Sequence, residues 1–212
     1  MEFEEVDFNN IEFNDLVYFD DTFVSRIFYN KSEKLIFYTY DVKLNQINKI
    51  LDRYILELEF LSESQEFYEF MNDMDNNIIS KVVDEGESIF GQKPKHDTVE
   101  NLFKRSIYLP KEIKNNPTFN VILSQNFKIY DKNNEQININ ELKEGYRIKL
   151  KLNLVNITFK PNMYHLIYVC EEIKIVEYSS VNNNYFYDNL EKQDNYIDDE
   201  LEIELANSIS SE

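Results

Sequence analysis

The amino-acid sequence predicts a mainly β protein with an α-helical insertion, a small antiparallel β-barrel carrying a helical embellishment. Three observations carry that reading. Short runs of β-branched and aromatic residues recur between polar turn signals. One central stretch switches from a period of two to a helical period. The last stretch, rich in Asn, Ser and acids, shows neither period. With 212 residues, 42% hydrophobic and 15% aromatic, the chain can bury one good core.

Taken in order, residues 1–22 mix Phe and Val with acids and read as a loosely ordered acidic arm able to add an edge strand. Thr22–Tyr29 and Leu35–Val42 are strand-like and flank the polar segment 30–34, which predicts a hairpin. Ile55–Leu61 alternates Leu56, Leu58 and Phe60 with Glu57 and Glu59, a third strand. Ser62 three residues before Gln65 predicts a capping box. Behind it Phe67, Phe70, Met71, Met74, Ile78 and Val82 form an apolar stripe at helical spacing, ending near Gly91. Asp97 and Glu100 predict a second capped helix that Pro110 closes, so the helices fall near 63–90 and 97–108.

Beyond Pro110 strands return at Phe119–Leu123 and Phe127–Tyr130, with turns at Asp131–Asn134 and Glu141–Gly145. In Tyr146–Val155, Ile148, Leu150, Leu152 and Leu154 alternate with Arg147, Lys149, Lys151 and Asn153, so one face joins a core and the other is a basic ladder. Met163–Cys170 and Ile173–Tyr178 close the strand set. The resulting division is an arm at 1–22, a domain at 23–180 and an acidic flexible tail at 181–212.

Composition removes several classes of function. No GxxxxGK[ST] or GxGxxG pattern occurs, which argues against nucleotide hydrolysis. Cys170 is alone, so neither a disulfide framework nor a thiolate metal cage can form within one chain, and a reducing compartment is expected. Asp73 and Asp75 are two apart on a helix and diverge, the Asp84–Glu87 cluster lacks calcium-loop spacing, and His96 and His165 have no second His nearby. No metal, no cofactor and no catalytic nucleophile is expected. The N-terminus lacks signal-peptide order and no run is long enough to span a bilayer, so a soluble intracellular protein is expected.

The charge is informative because it is uneven. Net charge is −18, yet residues 91–180 carry fourteen Lys and Arg against ten acids, while residues 1–25, 26–90 and 181–212 sum to −8, −6 and −8. A weakly basic, strand-rich segment followed by an acidic tail suggests a nucleic-acid groove beside a segment able to compete for it. Along the ladder, Arg147, Lys149 and Lys151 recur at roughly 6–7 Å, a spacing suited to a phosphate backbone.

Asn77–Lys93, which ends its helix in Ile89-Phe90-Gly91, is followed by Thr98–Phe103, Tyr108-Leu109-Pro110 and the strands to Tyr178. This order resembles the single-stranded DNA-binding proteins of large DNA viruses, similar in fold to those of short-tailed coliphages. Ile89 stands at the position of that family's Trp, and the tail ends Ser-Ser-Glu212 with no terminal aromatic. The resemblance covers roughly residues 50–180. It implies an OB-type barrel that binds single-stranded DNA in viral replication, recombination or repair, inside the host cell. It also implies an acidic tail for autoregulation or recruitment of replication partners.

Single-strand binding needs cations along the backbone and flat side chains under the bases. The expected cations are Arg147, Lys149, Lys151, Lys128 and Lys160, with Lys104 and Arg105 extending the surface. The expected stacking residues are Tyr130, Phe159, Tyr164 and Tyr168. A homodimer is compatible with this reading. The competing reading is an acidic, non-catalytic structural or regulatory protein of a virion or replication complex that keeps the fold without DNA affinity; a metal-dependent nuclease ranks below both.

Overall fold

A computed structural model describes residues 1–19, 22–111 and 115–178 of the chain. The expected tail at 181–212 lies outside the described residues. The elements run β1 (Ile11–Phe13), β2 (Val17–Phe19), β3 (Thr22–Tyr29), β4 (Leu35–Tyr38), β5 (Val42–Ile50) and β6 (Arg53–Glu59). Then come α1 (Gln65–Asp84), α2 (Gly86–Phe90), α3 (His96–Leu102) and β7 (Ile107–Tyr108). The chain closes with β8 (Thr118–Tyr130), β9 (Gln136–Ile137), β10 (Arg147–Lys160) and β11 (Met163–Glu177).

β10 does most of the organising. One of its edges pairs with β11 over its whole length; the other pairs in succession with β5, β4 and β3. With β5 paired to β6, β6 to β8 and β8 to β11, the strands β5-β6-β8-β11-β10 close on themselves as a five-stranded barrel. The expected all-antiparallel barrel needs one correction, since β8 and β11 run parallel. They can do so because the connection after β8, including β10, carries the chain back before β11 begins.

The hairpin predicted from Thr22–Tyr29 and Leu35–Val42 does not form. β3 and β4 both run antiparallel to β10, so they share a direction and lie end to end along one edge. The segment between them is an excursion, pinched by a pair of 2.8 Å hydrogen bonds between Tyr29 and Glu33, with Asn30 and Lys31 at positive φ. The loosely ordered arm is likewise corrected. Ile11 is fully buried, β1 and β2 pair with β3, and Phe3 inserts into the core against Tyr40, Phe67 and Phe70 at 5.1–5.4 Å between ring centres.

The helical insertion covers one end of the barrel with its apolar stripe: Phe67, Phe70, Met71, Met74, Ile78 and Val82 are all buried. Neither predicted capping box is present. Ser62 belongs to a 3-10 turn, and the buried Ser64 hydroxyl accepts from Leu61 N and donates to Leu61 O. Asp97 lies inside α3, which begins at His96. That helix stops at Leu102 rather than running to 108, because the chain becomes extended at Phe103 and Lys104 N donates to Tyr164 O at 2.8 Å. Gly91 ends α2 at φ +72°, a left-handed conformation that favours glycine.

At the centre, Phe60, Phe67 and Phe119 meet with ring centres 4.9–5.8 Å apart and no solvent exposure. Phe67 therefore joins the insertion to β8 and to the residue that follows β6. Phe67→Ala should lower unfolding free energy by about 3–5 kcal/mol, read as a reduced urea midpoint with an unchanged slope; a loss below about 1 kcal/mol would mean the helix is not part of the cooperative core.

Candidate nucleic-acid interface

Alternation decides which side chains the barrel wall shows to solvent. On β10 and β11 the interior takes Ile148, Leu150, Leu152, Leu154, Ile157 and Phe159, and Tyr164, Leu166, Tyr168, Cys170, Ile173 and Ile175. Their neighbours face outward. There Ile55, Ile122, Ile167 and Val169 make a second apolar cluster separate from the main core, itself only 0–6% exposed, with the half-buried Ile50, Val155 and Met163 packed against it. It lies between the β5–β6 turn at Leu51-Asp52 and the β10–β11 turn at Pro161-Asn162.

Cations sit at both ends of this outer cluster. At one end the register places Lys128, Glu172, Lys151 and Tyr38 side by side on β8, β11, β10 and β4, and Tyr130, Lys174 and Lys149 form the next row. At about 4.8 Å between strands, the four-membered row spans about 14 Å. Beside it opens a cleft of about 410 Å³ lined by Lys34, Arg53, Lys128 and Lys151, by the polar Ser124, Gln125, Asn126 and Asn153, and by Glu171 and Glu172. Lys34 and Lys128 are exposed and, among the described residues, make no ion pair. Near the other end stand Lys104, Arg105 and Lys160, about 30 Å from the first at 3.3 Å per residue along β10.

Of the residues predicted from the sequence, Lys128, Tyr130, Lys149 and Lys151 are thus brought together, with Lys104, Arg105 and Lys160 at the far end. Three of the four stacking candidates are corrected. Phe159, Tyr164 and Tyr168 point inward and are 3–6% exposed; Phe159 and Tyr164 stack on each other at 5.4 Å, flanked by Phe90 and Phe103. No ring face is left for a base. Tyr130 is the half-exposed exception.

The basic ladder is also less free than its spacing implied. The Arg147 guanidinium bridges Glu63 at 2.7 Å, Asp41 at 3.2 Å and Glu177 at 3.5 Å, so it ties β10 to the insertion and to the end of β11. Lys151 pairs with Glu171 at 3.3 Å, and Lys149 lies 3.9 Å from Asp41. Lys34, Arg53, Lys174 and Tyr38 were missed. Lys34 and Arg53 fall in the acid-rich half, where counting charge by segment hides them; the position of Lys174 opposite Lys149 follows only from the β10–β11 register.

The segment 103–108 that borders the far end is held by a buried carboxylate. Asp75 on α1 is fully enclosed and accepts hydrogen bonds from Ser106 N at 2.8 Å and Ser106 Oγ at 2.7 Å. Loss of water outweighs these bonds and the nearby Arg105 charge, so the carboxyl is pushed from 3.8 to about 7. Across the same region, burial together with the Lys160 and Lys104 charges pushes His165 down to about 3, which keeps it neutral.

The strand order, the one parallel pair and the helical insertion after the second barrel strand define an OB-type barrel with an embellishment. It shares its fold with gp2.5, a single-stranded DNA-binding protein encoded by bacteriophage T7, at a TM-score of 0.50 and 14% identity over 70% of this chain and 90% of that one. The single-stranded DNA-binding protein from bacteriophage Enc34 aligns at a TM-score of 0.47 and 7% identity over 80% and 92%. No family model and no curated protein matches the sequence.

Because Asp75 prefers its proton in the folded state, its contribution is greatest below pH 4 and is lost as pH rises to about 7, by up to about 4 kcal/mol at about 1.4 per pH unit. Asp75→Asn, which can satisfy Ser106 without charge, should flatten urea stability between pH 4 and 7 and raise it at pH 8. A variant that keeps the wild-type pH profile would show that Asp75 is ionised throughout.

Proposed function

We propose that this chain binds single-stranded DNA along the outer face of its barrel, without requiring a particular sequence. The observation that carries the reading is the face itself: a group of cations at one end and Lys160 toward the other, the half-buried Ile50, Val155 and Met163 between them, and position between the two turns that flank the oligonucleotide surface of OB barrels. About 30 Å matches about four nucleotides, the low end of what one such barrel covers. The likeness in fold to a phage protein whose name states this activity supports the reading. The protein acts without catalysis, inside a host cell at sites of viral replication, recombination or repair. Among the described residues no helix is long and apolar enough to cross a membrane.

Lys128 and Lys151, with Lys34 and Arg53, contact phosphates; Tyr130 and Tyr38 flank the cationic rows and stack bases at the margins. Arg147 is a structural tie. The acidic segment 181–212 competes with DNA for the same cations at low salt and, once displaced, recruits a replication partner. A second reading, an acidic regulator without DNA affinity, is favoured by one observation: Arg147, Lys149 and Lys151 all have carboxylate neighbours.

Fluorescence anisotropy with labelled oligo-dT at several salt concentrations separates the two. Lys128→Ala with Lys151→Ala should weaken binding and lower the slope of log K against log salt by about 1.4, at about 0.7 per lost phosphate contact. Arg147→Ala should lower stability with little change in slope. Absence of single-strand binding at low salt would leave the regulatory reading. A chain ending at Tyr178 should bind more tightly than the full chain, most visibly at low salt; equal affinities would show that the acidic segment does not compete.

A further inference from the structure

Between segment 103–108 and strands β8 and β11 lies a small recess of about 30 Å³, its lining including Ser106, Tyr108, Asn120, Ile122, His165 and the inward-facing Tyr168, with Lys104 and Arg105 also on its wall. Its lining carries polar atoms with no partner. His165 is 5% exposed and, among the described residues, its Nδ1 makes no hydrogen bond; nor does Asn120 Oδ1. Opposite His165 on β10 and outside the lining, the buried Thr158 Oγ1 is likewise without a partner among the described residues. Buried polar groups are nearly always satisfied, so this grouping calls for a partner that the described residues do not supply.

The geometry points to a nucleobase edge: we propose that the recess admits an exocyclic amino or keto group of one base, bonded by Asn120 and His165, while the ring stays outside it. This rests on the single-strand-binding reading above and adds to it a hydrogen-bonded preference that stacking alone would not give.

Size and charge choose among the parts of a nucleotide. The volume holds about two water molecules, enough for an exocyclic group and too little for a ring. A phosphate is disfavoured: His165 is neutral, Asn120 presents a carbonyl oxygen, and the Asp75 carboxyl lies behind Ser106. The neighbouring cations are turned elsewhere, Arg105 to Asn76 at 2.6 Å and Glu100 at 3.3 Å, and Lys104 over the Tyr108 ring at 5.4 Å. Neutral His165 and the Asn120 amide each offer a donor or an acceptor, the pairing that a base edge requires. The aliphatic neighbours belong to the outer cluster, so a base reaching the recess stays on the proposed track.

The test compares full-length protein with Asn120→Leu and His165→Phe, using labelled 12-mers of dT, dC and dA and the RNA counterpart of the tightest DNA, at two salt concentrations. Circular dichroism confirms folding; Asn120 is only half-buried, so its variant guards against a His165→Phe chain that fails to fold. Wild type should separate the DNA homopolymers by about five- to tenfold, the worth of one net hydrogen bond or slightly more. Both variants should compress this to within about twofold without changing the salt slope. Equal wild-type affinities, or a preference retained in the folded variants, would overturn the inference while leaving single-strand binding intact. A DNA-against-RNA difference that collapses instead would assign the recess to the sugar 2′-hydroxyl and overturn the base assignment. No binding to any strand would remove the functional reading and this inference together.

Discussion

The alternation of β10 from Arg147 to Leu154 is the constraint on which the molecule depends. Its inward Ile148, Leu150, Leu152 and Leu154 are buried to within 1% of complete, while Lys149 and Lys151 between them face out. Shifting the strand by one residue would place both lysines in the core and four branched aliphatics in water. Because β10 pairs with β11 on one edge and with β5, β4 and β3 on the other, that choice of face propagates to every strand it touches. Three register shifts against β11 then bend the wall; the one at Leu154/Asn156 leaves Val155 as an extra residue on β10 and moves the inward set from Leu154 to Ile157.

How much of this could be read beforehand follows from how different the two faces of each element are. β10 was legible because leucine alternates with lysine, and α1 because its stripe of Phe, Met and Ile is framed by acids and Asn. β5 was not, since the bulge between Leu44 and Gln46 puts its inward residues three apart, at Leu44 and Ile47, and destroys the period of two. β11 was legible as a strand but not as to its faces. Tyr164, Leu166 and Tyr168 alternate with His165, Ile167 and Val169, and both sets are apolar enough to be core. The stacking assignments chose the wrong set for that reason.

Electrostatic reading failed in a related way. Charge counted along the chain treats residues 26–90 and 91–180 as separate bodies, yet Arg147 is answered by Asp41 and Glu63 from the acidic half. Lys43 pairs with Glu59, and Lys151 with Glu171, within single faces of the sheet. What matters for a ligand is the charge left over after such pairing, and that remainder, Lys34 and Lys128 above all, is scattered in sequence and adjacent in space. The candidate interface is thus a property of register, which assembles it from β4, β8, β10 and β11.

The end-to-end arrangement of β3 and β4 along β10 has a consequence for how the molecule is made. Arg26 meets Asn156, and Phe37 meets Leu152, across more than a hundred residues of intervening chain. On a ribosome the first fifty residues emerge with much of their pairing surface unsynthesised, and their exposed β-rich edges wait for a partner that arrives almost last. The dense acids of residues 1–25 keep that waiting segment mutually repulsive and apart from its neighbours on the same messenger. A negative charge that adds nothing to the candidate interface is then an asset during synthesis.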